Sequence, residues 1–322
     1  MSHWGNLPSW YPERRSRRVR LPRRIYGEDM AARVGLVGTG RRAVEVHAPA
    51  LAACPEITFA GVWGRETEGA RRLAASHGTT PYATFDDLVR NCDAVAFSIP
   101  PAAQAEYAAD AARHGKAVLV QRPIAGDVAG AEELTLAVER AQVVSQVALV
   151  WRYAAAVRHF LHSEVPGTEP VGGSGRLVSG AFAPGSGVST LRAERGVLRD
   201  EGADLLDLLD AALGPIVGVR AHGDPRGWVG LLLEQQIGHV SEASMYALAP
   251  PTTHRAEVEV HGPAGSARVD CTDVVGPLTY DRMYAEFAGA VSSGTPHELD
   301  IRRGRHLQQV IEAAETDLTV GV

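Results

Sequence analysis

The chain has 322 residues, a hydrophobic content of 45%, a charged content of 22% and a formal net charge of −6, values of an ordinary soluble protein that is long enough for two domains. No run reaches the roughly 18 apolar residues of a membrane-spanning helix, so we expect no membrane association. Cys54, Cys92 and Cys271 show no paired spacing, which favours reduced thiols and a cytoplasmic location.

Residues 1–32 form a basic tail. Residues 1–29 contain seven arginines against Glu13, Glu28 and Asp29, a net charge of +4 that leaves −10 for the rest of the chain. Three interpretations stay open: a dispensable tail, a start upstream of the natural one, or an arm that binds an anionic partner. Because the remaining chain is acidic, we do not expect nucleic acid binding. The arginines precede no apolar segment, so this is not an export signal.

Residues 33–152 alternate short apolar runs with helical stretches, which predicts a doubly wound parallel sheet of the dinucleotide-binding type. The predicted strands are "RVGLVG", "ITFAGVW", "DAVAFSIP", "KAVLV" and "VVSQVALVW". Residues 153–322 instead show successive strands separated by turn residues, one helix near 199–213 and a last helix after 277. This pattern predicts an α+β domain with an open-faced, mostly antiparallel sheet. The glycine-rich stretch 172–176 suggests flexibility.

The stretch Gly38-Thr39-Gly40-Arg41-Arg42-Ala43 follows the first predicted strand and opens a helix. At this position the first glycine permits a tight turn, and the second lets the backbone approach a pyrophosphate. The amides at the helix start then bind the phosphates. We therefore predict a dinucleotide site here.

The end of the second strand predicts which dinucleotide is bound. NAD sites commonly have an acidic residue there for the ribose hydroxyls, whereas this chain has Gly64 followed by Arg65. Loss of the acid removes repulsion, and a guanidinium pairs well with a 2′-phosphate. We expect NADP(H) to be preferred over NAD(H).

From about residue 33 to the end, the chain resembles the Gfo/Idh/MocA family of NAD(P)-dependent oxidoreductases. The resemblance implies a Rossmann domain, a second open-sheet domain that often mediates homo-oligomerisation, and a small-molecule substrate such as a sugar or cyclitol. It also implies that Ser98 and Pro100 lie near the nicotinamide ribose, and that Tyr153 lines the substrate pocket. The segments that carry the resemblance are "GLVGTGRRAVEVHAPAL", "VAFSIPPAAQ", "HGKAVLVQRPIA", "VLRDEGADLLDLLDAALGPI" and "SSGTPHELDIRRGRHLQQVIEAA".

The chain departs from this family at the positions that handle the proton. The usual Glu-Lys-Pro is Gln121-Arg122-Pro123, the usual histidine of the second motif is Asp204, and Gln104 replaces a further histidine. Arginine cannot act as a proton donor or acceptor, because its pKa exceeds about 12. The only lysine, Lys116, begins the predicted strand "KAVLV", whereas Arg122 follows the end of that strand.

Asp200, Asp204 and Asp207 have the spacing of one helix face. Three interpretations stay open: an exposed acidic face, a metal site that lacks nearby histidine or cysteine ligands, or a pocket in which Asp204 pairs with Arg122. A nearby Asp200 could raise the pKa of one aspartate enough for acid–base chemistry.

The leading hypothesis is an NAD(P)-dependent oxidoreductase with altered acid–base residues, in which Asp204 or Tyr153 handles the proton. The main alternative is a catalytically degenerate NADP(H)-binding sensor or partner protein. The family also contains lyases and hydrolases that use the cofactor transiently.

Overall fold

The computed structural model describes residues 31–186 and 190–320, so the basic residues 1–30 lie outside the described part of the chain. The described chain divides into two compact units. The N-terminal unit comprises residues 31–148 and 276–305, and the C-terminal unit comprises residues 149–275 and 306–320.

The N-terminal unit contains a parallel five-stranded sheet with the order β2-β1-β3-β4-β5. Strands β3, β4 and β5 are buried at every position, as expected for parallel strands covered on both faces. This confirms the predicted Rossmann arrangement. The strands are β1 (Ala32–Val37), β2 (Ile57–Trp63), β3 (Ala94–Phe97), β4 (Ala117–Val120) and β5 (Ser145–Val147).

Helices connect these strands. The side chains of Thr84 and Asp127 cap two of them by accepting hydrogen bonds from the backbone N–H groups of Asp87 and Gly130. A π-helical turn over Ala43–His47 runs directly into the first α-helix. The helices are α1 (Ala48–Ala53), α2 (Thr67–Ser76), α3 (Phe85–Arg90), α4 (Pro101–Arg113) and α5 (Val128–Ala141).

The C-terminal unit begins with a 3₁₀ turn over Val150–Tyr153, and a π-helical turn over Phe160–Glu164 separates its first two helices. Its helices are α6 (Ala155–His159), α7 (Val165–Thr168), α8 (Thr190–Asp200) and α9 (Gly202–Leu213). Its strands are β6 (Gly172–Ser179), β7 (Ile216–Gly223), β8 (Trp228–Gln235), β9 (Val240–Tyr246), β10 (His254–Gly262) and β11 (Gly265–Asp270).

The sheet order in this unit is β11-β10-β6-β9-β8-β7, and every neighbouring pair is antiparallel except β6 and β9. Helix α9 packs against β6, β9 and β10. The mostly antiparallel α+β prediction is therefore confirmed.

The expected flexibility of residues 172–176 is wrong, because they form the first part of β6. A Cβ atom on Gly173 would lie 2.6 Å from the carbonyl oxygen of Glu259, and one on Gly175 would lie 3.0 Å from the Leu205 side chain of α9. These glycines are required by close packing between the strand and its neighbours.

Two helices complete the chain: α10 (Pro277–Ser293), which belongs to the N-terminal unit, and α11 (Ile301–Val320), which begins in that unit and continues into the C-terminal one. Within the described ranges, none of the helices has the length and apolar character needed to cross a membrane.

Candidate cofactor and substrate site

The glycine loop lies at the carboxyl end of β1, between the ends of β2 and β3. The Gly38 N–H donates to the carbonyl oxygen of Trp63 at 2.9 Å, at the end of β2. Gly38 has φ of 128°, and a Cβ atom there would lie 2.3 Å from the carbonyl oxygen of Ser98 after β3. Only glycine fits this narrow space. The loop thus occupies the point where the strand order reverses, which is where doubly wound sheets bind ligands.

Gly40 has the opposite surroundings. It is exposed, and a Cβ atom there would meet no described atom within 4 Å. The open space above Gly40 is followed at once by the helix that begins at Arg41. A helix start offers unpaired amides and partial positive charge. The loop therefore fits the pyrophosphate of a dinucleotide.

Arg41 and Arg42 lie at this helix start with exposed side chains. The Arg41 Nε atom lies 2.8 Å from a carboxylate oxygen of Glu45, one helical turn later. The Arg42 Nη2 atom lies 3.4 Å from the Tyr280 hydroxyl of α10. Exposed ion pairs are weak, so the Arg41 pair leaves the guanidinium available to a phosphate.

Thr39 packs against the end of β2. A Cβ atom on Gly64 would lie 2.7 Å from the Thr39 Cγ2 atom, and one on Gly69 would lie 3.2 Å from the Thr39 Cβ atom. Thr39 therefore occupies the volume that a side chain at position 64 would need. The neighbouring Arg65 is exposed, and it forms no ion pair with any residue in the described ranges.

Gln121 and Arg122 follow β4 at the same edge of the sheet, and both are partly buried. The Gln121 Nε2 atom is buried and has no hydrogen-bond partner among the described residues. Ser98 is partly buried after β3, whereas Pro100 is exposed immediately before α4. The structure thus gathers the predicted cofactor-contacting residues of this unit at the carboxyl ends of β1, β2, β3 and β4.

The sequence marks Gln104 only as the replacement for a family histidine, whereas in the structure α4 places it beside the loop after β4. This side chain is fully buried and hydrogen bonds to the backbone of Gln121, Pro123 and Ile124. No local motif indicates such a contact, because its partners are 17 to 20 residues away along the chain.

In the C-terminal unit, Tyr153 is buried at the end of the 3₁₀ turn. Its neighbour Arg152 lies 3.3 Å from the carboxylate of Asp207, and both side chains are buried or nearly so. An arginine–aspartate pair of this kind fixes the turn that carries Tyr153 to helix α9.

The expectation that Asp200, Asp204 and Asp207 share one helix face is wrong. Helix α8 ends at Asp200 and α9 begins at Gly202, with Glu201 at φ −120° and ψ −19° between them. Only Asp204 and Asp207 share a helix. The interpretation of these residues as an exposed acidic face is also wrong, because all three aspartates are buried.

Each aspartate has its own surroundings in this unit. Asp200 accepts hydrogen bonds from Arg192 Nε at 2.8 Å and Arg195 Nη2 at 3.0 Å. Asp204 lies near Cys271: burial raises the pKa of the Cys271 thiol to about 12, and the Asp204 charge contributes to that rise. No cluster of three or more His, Cys, Asp or Glu residues suited to a metal ion occurs in the part of the chain that the structure describes.

Comparison with known proteins identifies the N-terminal unit. Residues 32–149 match the family model described as "Oxidoreductase family, NAD-binding Rossmann fold". The solved structure of GenD2 from gentamicin A biosynthesis, in complex with NAD, has the same fold, with a TM-score of 0.77 at 20% identity over 92% of this chain and 97% of that one.

Two curated relatives extend the similarity beyond this unit. The chain is 28% identical over 332 residues to a dTDP-3,4-didehydro-2,6-dideoxy-alpha-D-glucose 3-reductase from Streptomyces antibioticus, covering 88% of this chain and 97% of that enzyme. It is also 28% identical over 276 residues to the reductase of that name from Streptomyces violaceoruber, covering 73% of this chain and 79% of that enzyme.

Proposed function

We propose that this chain is an NADP(H)-dependent oxidoreductase that acts on a small polar hydroxyl or carbonyl compound, because its residues 32–149 match the NAD-binding Rossmann domain of the Gfo/Idh/MocA oxidoreductase family. The observation that carries the proposal is the glycine loop, closed at Gly38 and open at Gly40. When bound, the nicotinamide supplies or accepts the hydride. The protein's own residues bind the dinucleotide, orient the substrate and manage the proton.

The contact between Thr39 and Gly64 supports the preference for NADP(H). An acidic side chain at position 64, which would bind the ribose hydroxyls of NAD, collides with Thr39. Arg65 then presents an exposed guanidinium whose planar fork suits a 2′-phosphate.

A double substitution tests this preference. Gly64→Asp alone should weaken binding of both cofactors, because its Cβ atom meets Thr39 Cγ2 at 2.7 Å. Thr39→Ala removes that methyl group, so Thr39→Ala/Gly64→Asp should shift the preference towards NADH. Thr39→Ala alone is the matched control and should still prefer NADPH. An unchanged preference in the double variant would contradict the proposed ribose contact.

The substrate class follows from the relatives. The two curated relatives are reductases of a dTDP-linked keto sugar, so keto sugars and their nucleotide derivatives are the first substrates to test. Sugars, cyclitols and related polyols complete the class.

We further propose distinct roles for Arg122, Asp204 and Tyr153. Arg122 anchors the substrate through charge-assisted hydrogen bonds, since a guanidinium has no neutral population to exchange protons. Asp204 or Tyr153, both buried in the C-terminal unit, manages the proton, whereas the Asp200 carboxylate is paired with Arg192 and Arg195. Arg122→Lys combined with Asp204→His should create or raise activity towards polyols, whereas Arg122→Lys alone should mainly weaken binding.

Substrate-dependent NADPH consumption tests the function. Purified protein with keto sugars, including nucleotide-linked ones, should oxidise NADPH, and the matching alcohols should reduce NADP⁺. A second candidate, an NADP(H)-binding sensor, is favoured by Gln104, Gln121 and Arg122, because none of these groups titrates at physiological pH. Tight NADPH binding without turnover across the whole panel would favour the sensor.

The outer face of the second sheet supports self-association. Trp228, Leu232 and Val240 are 52%, 50% and 47% exposed, and they lie on the face of β8 and β9 opposite the buried Val229, Leu231 and Leu233. An exposed apolar face of this kind commonly forms an interface. We propose that it meets the same face of a second copy.

A further inference from the structure

The buried side chain of Gln104 uses its whole carboxamide group on one short segment of backbone. Its Oε1 atom accepts from the Gln121 N–H at 2.8 Å, and its Nε2 atom donates to the Gln121 carbonyl oxygen at 2.9 Å. Nε2 also lies 3.1 Å from the Ile124 carbonyl oxygen and 3.4 Å from that of Pro123. The amide orientation is fixed, because only Nε2 can face carbonyl oxygens and only Oε1 can face an N–H group.

This segment has left the sheet and needs such partners. Strand β4 ends at Val120, so Gln121 lies outside the strand, and Pro123 carries no N–H group. Buried backbone groups without partners cost free energy, and Gln104 pairs with the N–H and carbonyl groups of Gln121 and with the carbonyl group of Ile124. The Ile124 side chain is also packed closely against Gly304. A Cβ atom on that glycine would lie only 2.5 Å from it.

The two fixed points bracket Arg122. Gln121 is held by Gln104 on one side of the arginine, and Ile124 is held by both Gln104 and the Gly304 region on the other. An arginine between two fixed backbone positions has little freedom to reorient its Cα–Cβ bond. The same contacts set the direction of Gln121, whose buried Nε2 atom has no partner in the described ranges.

We propose that Gln104 is a positioning residue that holds the Gln121–Ile124 segment, and with it the Arg122 and Gln121 side chains, in the geometry that receives the dinucleotide cofactor. The effect on cofactor binding rests on the proposed function, whereas the fixing of the segment by Gln104 does not. In the described ranges, the hydrogen bonds of the Gln104 side chain all join it to backbone atoms. Its effect on binding passes through the residues that it fixes.

The test compares two buried glutamines of the same unit. Gln104→Glu keeps the size and the acceptor but sets a carboxyl oxygen against the carbonyl oxygens of Gln121 and Ile124. Gln146→Glu is the matched control, because Gln146 is equally buried and its Nε2 atom donates to the carbonyl oxygen of Met283 at 2.9 Å, in helix α10. Gln104→Met serves if the glutamate variant does not fold.

Two readouts are measured on the full chain: amide hydrogen exchange of the peptide spanning residues 117–126, and the Kd for NADPH. The Gln104 variant loses about one hydrogen bond to this segment, which should speed amide exchange at Gln121 by about tenfold and raise the Kd for NADPH by a similar factor. The Gln146 variant should show neither change. Equal exchange in the two variants overturns the hold on the segment. Faster exchange with an unchanged Kd overturns the positioning role.

These readouts separate this inference from the proposed function. If the unmodified protein binds neither NADPH nor NADH, the proposed function fails, and with it the positioning of cofactor. Exchange at Gln121 then still decides whether Gln104 holds the segment.

Discussion

The two glycines of the loop should respond to substitution in opposite ways. A side chain at position 38 meets protein, whereas a side chain at position 40 meets none of the described atoms. Gly38→Ala should therefore damage folding, and Gly40→Val should leave folding intact and abolish dinucleotide binding.

The structure sets the size of each effect. Gly38→Ala forces a φ of 128° on a residue with a side chain and brings its Cβ atom 2.3 Å from the backbone of Ser98, which cannot rotate away. We expect a cost of about 3 kcal/mol or more, or a fall in Tm of about 6–12 °C. Gly40 has no positive φ, so valine should change stability by less than about 0.5 kcal/mol. The valine methyls then occupy the volume that we propose for the pyrophosphate, and the Kd should rise at least about 100-fold.

Thermal unfolding and fluorescence titration with NADPH, applied to both variants, separate the two effects. Gly40→Val with a Tm near that of the parent and no measurable binding is the expected result. A Gly40→Val protein whose Kd for NADPH lies within about threefold of the parent's would refute the assignment of this loop to the pyrophosphate. A tenfold change in Kd corresponds to about 1.4 kcal/mol.

Three further predictions concern charge and assembly. Burial, aided by the Arg42 charge, lowers the pKa of His47 from 6.5 to about 3. The contribution of the neutral His47 to the free energy of unfolding is therefore fully present above pH 6.5. It declines as the pH falls towards 3, by up to about 1.4 kcal/mol per pH unit. In urea unfolding across that range, His47→Gln should lose stability less steeply than the parent, and parallel curves would contradict this. Asp207→Asn should lower the free energy of unfolding by about 3–5 kcal/mol, because it breaks the buried pair with Arg152. Glu45→Gln, in the exposed pair with Arg41, should lower it by less than about 1 kcal/mol. Similar losses for the two variants in urea unfolding would contradict the stronger role of the buried pair. Leu232→Glu should reduce the mass measured by light scattering to that of a monomer, and Leu136→Glu, at an equally exposed leucine of α5, should not; unchanged mass in both would rule out the sheet face as the interface.

The sheet of the N-terminal unit could be predicted because its signal is local. Short apolar runs such as "KAVLV" are bounded by turn residues, and continuous burial of a strand on both faces leaves that pattern in the sequence. The glycine loop could be placed for the same reason, since it directly follows the first run.

The different roles of Gly38 and Gly40 could not be predicted from the loop alone. The atom that excludes a side chain at position 38 belongs to Ser98, which the strand order brings alongside. The conflict between position 64 and Thr39 likewise depends on how two strand ends meet.

The aspartates were misplaced because helical spacing does not show where a helix ends. The sequence "DEGADLLD" has one glycine, and the break at Glu201 is set by the surrounding fold. The burial of Asp207 could not be predicted from the local sequence either, because the arginine that pairs with it lies 55 residues away along the chain.

A titration of the full chain with NADPH and NADH tests the central claim most directly. NADPH should bind about 10- to 100-fold more tightly, as expected from one charge-assisted contact of Arg65 with the 2′-phosphate, and Arg65→Ala should abolish the difference. Equal or tighter binding of NADH, or no binding of either cofactor, would contradict the proposal that this protein is an NADP(H)-dependent oxidoreductase.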